Sequence, residues 1–281
     1  MRIGDYEIDS VDSGRFRLDG GAMFGVVPKV LWERTNPADD KNRIDMALRC
    51  MLVRGYGKTV LVDCGIGEKW NDKQKAMYAI DHSQFQMDSA LARHNVKRSE
   101  VTDVIISHLH FDHVGGATRF ASDGKVELTF SNANYHVHRA NLAHAHAPCE
   151  KDKASFIDLT IRPLEESGRV TLHDDAFELA PGLRTWITNG HTAGQQLVKV
   201  GTRENTVLFC GDTIPTASHV PVPYVMGYDM YPVTTIEEKK AFLPQAFEER
   251  WTLFWVHDPL IAACKVNYSD RKFSRGEVID L

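Results

Sequence analysis

The sequence predicts a mixed α/β fold, with strands in two groups and helices interspersed. Three observations carry this expectation. Apolar runs repeatedly end at a turn that holds a histidine or an acid, as residues 101–106 do before Ser107-His108-Leu109-His110-Phe111-Asp112-His113. Residues 44–53 and 58–63 read as two strands of a hairpin around Arg54-Gly55-Tyr56-Gly57. Helical spacing of apolar residues recurs between such stretches, in 83–95 and again in 236–250.

Taken in order, residues 1–18 set Tyr6, Ile8, Val11 and Phe16 among charges, the pattern of edge strands. Residues 20–32 are small and apolar with no strict period, which predicts a loop packed over something. Met23, Phe24 and Trp32 then wall a substrate pocket or cover the core. In 83–95 the helical positions are Phe85, Met87 or Asp88, Leu91 and Ala92, and residues 114–120 read as a helix start. A strand is expected at 130–138 and a helix at 139–147. His136, His138, His144 and His146 lie there without a turn and an acid beside them, so packing or solvent-facing roles are expected. Residues 151–166 read as a helical insertion or connector. Short strands follow at 170–172, 176–179 and 183–187, with Pro181-Gly182 as a turn. A second hairpin, 195–200 with 206–209, leads to Asp212. The helix at 236–250 carries Pro244 at a cost. The strand 251–256 delivers His257. No repeat and no low-complexity linker divides the chain, so a single domain over 1–281 is expected, with a helical insertion around 139–166.

The chemistry concentrates at residues 107–116. His108 and His110 sit two apart, so an extended backbone points both the same way. Asp112 and His113 are adjacent and diverge. One metal would struggle to take all four side chains, and the spacing suggests two metals side by side. Further donors stand at strand ends: His191 between glycines in Asn189-Gly190-His191-Thr192-Ala193-Gly194, Asp212 in Phe209-Cys210-Gly211-Asp212-Thr213, and His257 in Phe254-Trp255-Val256-His257-Asp258. Each is weak alone; the set in this order is not.

This series of motifs resembles the signature of the metallo-β-lactamase superfamily, and Asp63 in Leu61-Val62-Asp63-Cys64-Gly65 matches its early Asp-x-Gly motif. Within the superfamily the chain looks most like acyl-homoserine-lactone lactonases and methyl-parathion-type organophosphate hydrolases. The resemblance implies a four-layer αββα sandwich. It implies one divalent metal on His108, His110 and His191, a second on Asp112, His113 and His257, and Asp212 bridging them. Asp63 would orient a metal-binding histidine. The donor set suits zinc and permits manganese, iron or cobalt. A hydroxide held between the metals would attack a lactone or ester carbonyl, with Asp112 as a catalytic residue that helps carry a proton to the leaving group. Organophosphate triester cleavage is the alternative. A redox role of the flavodiiron kind is disfavoured by His110, where those members carry Glu. A purely structural metal site is disfavoured because no thiolate is placed as a ligand. The lactonases place a Tyr three residues after the bridging Asp, where this chain has Pro215; Tyr224 or Tyr228 is the candidate substitute at the pocket.

Composition limits the partners. The chain has 281 residues, 43% hydrophobic and 25% charged, with a net charge of -5 and no long basic run. Nucleic acid is therefore not expected as a partner, because phosphate binding needs clustered Lys and Arg. A small molecule is the expected partner, with a homodimer admitted. The five cysteines form no Cys-x-x-Cys pair, which fits a reducing cytoplasm. Cys64 and Cys210 flank site segments but are expected as small core residues. No apolar signal region opens the chain and no stretch is long enough for a membrane span.

Overall fold

The computed structural model describes residues 1–83, 86–202 and 205–281. Among these, the chain runs β1 (Arg2–Ile3), β2 (Tyr6–Asp19), α1 (Gly20–Phe24), α2 (Lys29–Trp32), β3 (Arg43–Gly55), β4 (Lys58–Val62), α3 (Asp72–Tyr78), α4 (Met87–Ala92) and β5 (Asp103–Ile105). It continues through α5 (Phe111–Val114), β6 (Thr118–Phe120), β7 (Val126–Leu128), β8 (Asn134–His138), α6 (Arg139–His146), α7 (Asp158–Glu166) and β9 (Val170–His173). The second half holds β10 (Glu178–Ala180), β11 (Leu183–Thr188), β12 (Gln195–Thr202), β13 (Asn205–Phe209), α8 (Pro232–Glu248), β14 (Thr252–Phe254), β15 (Ala263–Ser269) and β16 (Lys272–Ile279). One seven-stranded sheet has the order β1-β2-β3-β4-β5-β8-β9, and a second has β10 to β16 in chain order.

Three apolar clusters make four layers of these parts. The middle one joins the facing sides of the two sheets, with Ile8, Met51, Val53 and Val62 meeting Val198, Val207, Phe209 and Phe254. On the outer side of the first sheet, Leu61 and Val104 pack with Leu91 of α4, Leu142 of α6 and Leu164 of α7. On the outer side of the second, Leu197 and Leu253 pack with Phe242, Leu243 and Ala246 of α8. An αββα sandwich results, because each sheet has one face to bury against its twin and another against helices.

Topology places the site. Strands β4, β5, β8 and β9 run parallel, as do β13 and β14. Their carboxyl ends therefore gather at one edge of the sandwich. Asp63 follows β4, the histidine loop follows β5, Asp212 follows β13 and His257 follows β14. Strand β12 is antiparallel to β13, which brings its start, and the His191 loop before it, to the same edge. The sheets join there directly: Ala47 N donates to His257 O at 3.0 Å, and Gln196 N to Ser107 O at 2.8 Å.

Several elements differ from expectation. Residues 20–32 form α1 and α2, because the Asp19 side chain caps Ala22 N at 2.8 Å and nucleates a turn. The helix expected from 114 stops at once. A Cβ on Gly115 would lie 2.2 Å from Ile66 O, and one on Gly116 2.1 Å from Cys64 O. These glycines exist to let the 64–67 loop pass, and β6 follows. The segment 139–166 is the crossover that parallel strands β8 and β9 require, with Leu142, Ile161 and Leu164 in the outer core. The helix at 83–95 is described as Met87–Ala92; Phe85 lies outside the described residues. The strand at 130–138 begins at Asn134, after a turn closed by Ala133 N to Phe130 O. Helix α3, hairpin β6–β7 and hairpin β15–β16 carry no clean period, and much of β16 is half-buried.

Candidate metal centre

The seven donors converge at the sheet edge, and all are buried. His108 Nε2 stands 3.0 Å from His110 Nδ1, which stands 3.1 Å from His191 Nε2. On the other side, His113 Nε2 and His257 Nε2 are 3.2 Å apart. Asp112 Oδ2 lies 3.4 Å from His257 Nε2 and 3.8 Å from His113 Nε2. Asp212 lies between the groups. Its Oδ2 is 3.4 Å from His191 Nε2, and its Oδ1 is 3.3 Å from both His113 Nε2 and His257 Nε2. The ligand atoms of His108, His110 and His191 form one compact set, and those of Asp112, His113 and His257 another.

The far nitrogen is held in four of the five rings; His110 turns Nδ1 to the cluster, and its Nε2 is buried without a hydrogen-bond partner. His113 Nδ1 donates to Asp63 Oδ2 at 2.8 Å, His191 Nδ1 to Asp229 Oδ1 at 3.0 Å, and His257 Nδ1 to the Ala47 carbonyl at 2.8 Å. His108 Nδ1 meets Ser107 Oγ at 3.0 Å, and that hydroxyl donates to Asp63 Oδ2 at 2.7 Å. A neutral ring that donates from Nδ1 presents a bare lone pair at Nε2. The lone pairs of His113 and His257 then face each other, which is unfavourable unless a cation lies between. Tetrahedral ligands at metal–nitrogen distances of about 2.0–2.1 Å stand roughly 3.3 Å apart, close to what is seen. Asp212 Oδ1 is also buried without a hydrogen-bond partner. The residues fit divalent metal ions.

The electrostatics agree. Burial, reinforced by neighbouring rings, pushes His108 and His110 well below the usual histidine range, so both stay neutral ligands. Burial disfavours charge on His113, but Asp212, Asp112 and Asp63 outweigh it and raise the pKa well above the usual value. A metal ion supplies the positive charge these carboxylates favour as well as a proton does. Burial likewise opposes charge on Asp212, yet His113, His257 and His191 hold its carboxyl well below the usual range.

A cavity of about 360 Å³ opens above the donors. His110, Asp112, His191, Asp212 and His257 form its floor, and Leu18, Met23, Met46, Phe111 and Met226 part of its wall. Tyr78, Lys151, Ser155 and Tyr228 add polar points. Of the expected pocket residues, Met23 and Tyr228 line this space. Phe24, Trp32 and Tyr224 do not, which corrects that expectation. Phe24 stacks on Trp32 at 5.4 Å and on His219 at 4.3 Å, and meets Tyr224 edge-on, so these rings form a layer behind the wall. Burying large rings against each other outweighs exposing them.

Sequence reasoning missed Asp229, which lies in an irregular segment 38 positions from His191 with no spacing to mark it. It also missed Asn141. That side chain accepts from Leu109 N at 2.8 Å and donates to Ala193 O at 2.8 Å, tying two ligand loops together. The histidines of 136–146 are engaged elsewhere: His136 meets Asp103 at 2.9 Å and His173 at 3.0 Å, and His138 accepts from Ala140 N. His144 meets Asp152 at 2.5 Å and His146 meets Glu165 at 3.0 Å. Cys64 and Cys210 are buried core residues with free thiols.

This architecture, with donors from four strand-end loops at one edge of a two-sheet sandwich, defines a class. The family model of the metallo-beta-lactamase superfamily matches residues 48–257, and the chain belongs to that superfamily. A probable metal-dependent hydrolase from Staphylococcus aureus is 28% identical over 99% of this chain and 100% of that one, with a TM-score of 0.88. AidC, a dizinc quorum-quenching lactonase solved with a product, is 17% identical over 100% and 97% of the two chains, with a TM-score of 0.79; that likeness is one of fold. The metallo-hydrolase mfmC of Annulohypoxylon moriforme is 24% identical over 113 residues, 37% of this chain and 29% of that protein's length. The cytochrome P450 monooxygenase mpaDE of Penicillium roqueforti matches over 13% of its length, so only small parts of these two proteins correspond to this chain. Among the described residues, no helix is long and apolar enough to cross a membrane.

Proposed function

We propose that the chain is a dinuclear metal-dependent hydrolase of small neutral lactones or esters. The carrying observation is the position of Asp212, whose two oxygens face separate donor groups at the floor of a largely apolar cavity. His108, His110 and His191 would hold one metal, and Asp112, His113 and His257 the other. Nitrogen and oxygen donors without thiolate suit zinc. When bound, the metals supply Lewis acidity and a water acidified enough to act as a nucleophile near neutral pH.

The protein's own groups do the rest. Asp112 faces the cavity from the floor and is placed to hold or pass a proton there. Burial raises the phenol pKa of Tyr78, and the charge of Asp112 adds to it. Burial, Asp19 and then Asp112 push Tyr228 up to about 12. Both phenols therefore stay protonated near neutral pH and can donate to a substrate oxygen. Apolar walls with few polar points suit a small organic molecule. A net charge of -5 gives polyanions no steering. Five free cysteines support a reducing, cytoplasmic setting.

The test is a substrate panel with the metal restored: short- and long-acyl lactones, aryl esters, a phosphotriester, a phosphodiester and a penicillin. The expected result is highest kcat/KM on a lactone or ester, with weaker phosphotriester turnover. A phosphodiester or penicillin as best substrate overturns the cavity reading, and a phosphotriester as best substrate selects the alternative.

A further inference from the structure

Helix α8 presents two adjacent charged side chains to the irregular segments that build the site. The Glu238 carboxylate accepts from Asn189 N at 2.6 Å and Gly190 N at 3.2 Å, the two residues before His191. Its neighbour Lys239 is fully buried, with 0% exposure. The Lys239 ammonium donates to three backbone carbonyls, His219 at 2.6 Å, Pro221 at 2.8 Å and Tyr224 at 2.9 Å. Burial pushes its pKa down to about 7, because an ammonium is costly to bury unless all three of its donors find acceptors. Here each one does. A methionine would fill the same space without that cost, so the cation is informative about what it binds.

It binds the segment that leads into the cavity wall. Residues 220–224 belong to no helix or strand, so their carbonyls lack ladder partners. The segment runs on into Met226, Gly227 and Tyr228, which line the cavity. Gly227 N donates to Ala22 O at 2.8 Å. The His219 ring donates from Nε2 to Met23 O at 2.8 Å and stacks on Phe24. Through His219 O and Tyr224 O, Lys239 therefore fixes both the 219–229 half of the wall and its junction with α1.

We propose that Lys239 is a positioning residue that sets the substrate wall, touching neither substrate nor metal ligands. The proposal rests on the reading of the cavity as the substrate site. Glu238 acts on the His191 loop, so the two neighbours serve separable tasks. The test uses the metal-loaded protein with Lys239→Met, which keeps the bulk and removes every donor. Metal per chain, amide hydrogen exchange by segment, and KM and kcat on the best substrate of the panel are measured together. Exchange in 219–229 should rise about tenfold or more, while 189–194 and the metal content stay unchanged. KM should rise about tenfold with kcat within about threefold, the signature of lost binding rather than lost chemistry. Unchanged exchange in 219–229, unchanged KM on a loosened wall, or metal loss overturns the proposal. If Lys239→Met does not fold, Lys239→Gln gives the same comparison with smaller changes. If no panel substrate is turned over, the lactone and ester reading fails separately, and the exchange pattern alone decides the role of Lys239.

Discussion

The histidine loop after β5 and the wall segment 219–229 lie on the same cavity and were built by different rules. In the loop, residue type fixes the outcome. Imidazoles and carboxylates have few reasons to be buried together, and Asp63, Ser107, Asp229 and the Ala47 carbonyl aim them by single hydrogen bonds. In the wall, position decides. Met226 and Tyr228 face the cavity, whereas Tyr224, equally suitable by type, turns to pack on Phe24. Chemistry is local in the chain; a surface is a product of packing.

The strongest way to break this contrast is at the bridge. Asp212→Ala removes the side chain whose oxygens face both donor groups. Metal per chain and kcat/KM should fall together, by more than the roughly 10- to 100-fold typical of losing a group behind a ligand. Elemental analysis of the purified variant checks it, against a parent expected to approach two metals per chain. Full metal retention in the variant would sink the bridging role.

The second test is on the wall side and uses pH. Burial pushes His219 down to about 3, and its neutral ring donates to Met23 O and accepts from Thr216 Oγ at 2.7 Å. The folded pKa lies below the usual histidine value of about 6.5, so the unfolded chain binds this proton first. The contribution of the neutral ring is therefore complete above pH 6.5 and is lost as pH falls toward 3. The difference in stability between wild type and His219→Gln should shrink across that window by roughly 3–5 kcal/mol. Protonation of the ligand histidines affects both proteins and cancels. Denaturant melts at pH 7 and pH 4 check it; a pH-independent difference means the ring is already charged or exposed.

The third sharpens the loop side. Asp229→Ala leaves His191 without the acceptor that fixes its tautomer, and should cost about 10- to 100-fold in metal affinity or activity. Asp63→Ala should do the same at His113. Metal titration by calorimetry separates the two, since Asp229→Ala should weaken only the group that holds His191, whereas Asp63→Ala should weaken both, because Ser107 links Asp63 to His108.

The limits of sequence reading follow from the same contrast. The two groups of strands were legible because apolar runs and alternation are written along the chain, the αββα layering came from the resemblance of the motifs, and the gathering of seven His and Asp side chains at one edge followed from residue type at strand ends. Asp63 was legible because it ends a strand beside the loop. Asp229 was not, because nothing near Tyr228-Asp229-Met230 distinguishes it from any acid in a turn until tertiary packing brings it to His191. The misplacing of Phe24, Trp32 and Tyr224 has the same origin: large rings near a site either line it or stack behind it, and only the third dimension chooses. The stop after Gly116 depended on Cys64 and Ile66 carbonyls about 50 residues away in sequence.

The smallest expected effect tests whether proximity in sequence means function. Cys210 stands two residues before Asp212, and a thiolate there would be an obvious metal ligand. The structure turns it away. Its thiol lies among Leu197, Leu208, Phe242 and Trp251 on the outer side of the second sheet, and Sγ approaches the Leu208 carbonyl at 3.5 Å. Burial, with Cys264 adding to it, pushes the Cys210 thiol well above its usual range, so no thiolate forms near neutral pH. Cys210→Ser should therefore leave metal per chain unchanged and kcat/KM within about twofold. A hydroxyl in an apolar cluster should cost only about 1–2 kcal/mol of stability, since it too can reach the Leu208 carbonyl. Elemental analysis and a melting curve on one preparation decide it. If metal is lost while stability is kept, Cys210 is a ligand-side residue and the packing account of this strand end is wrong.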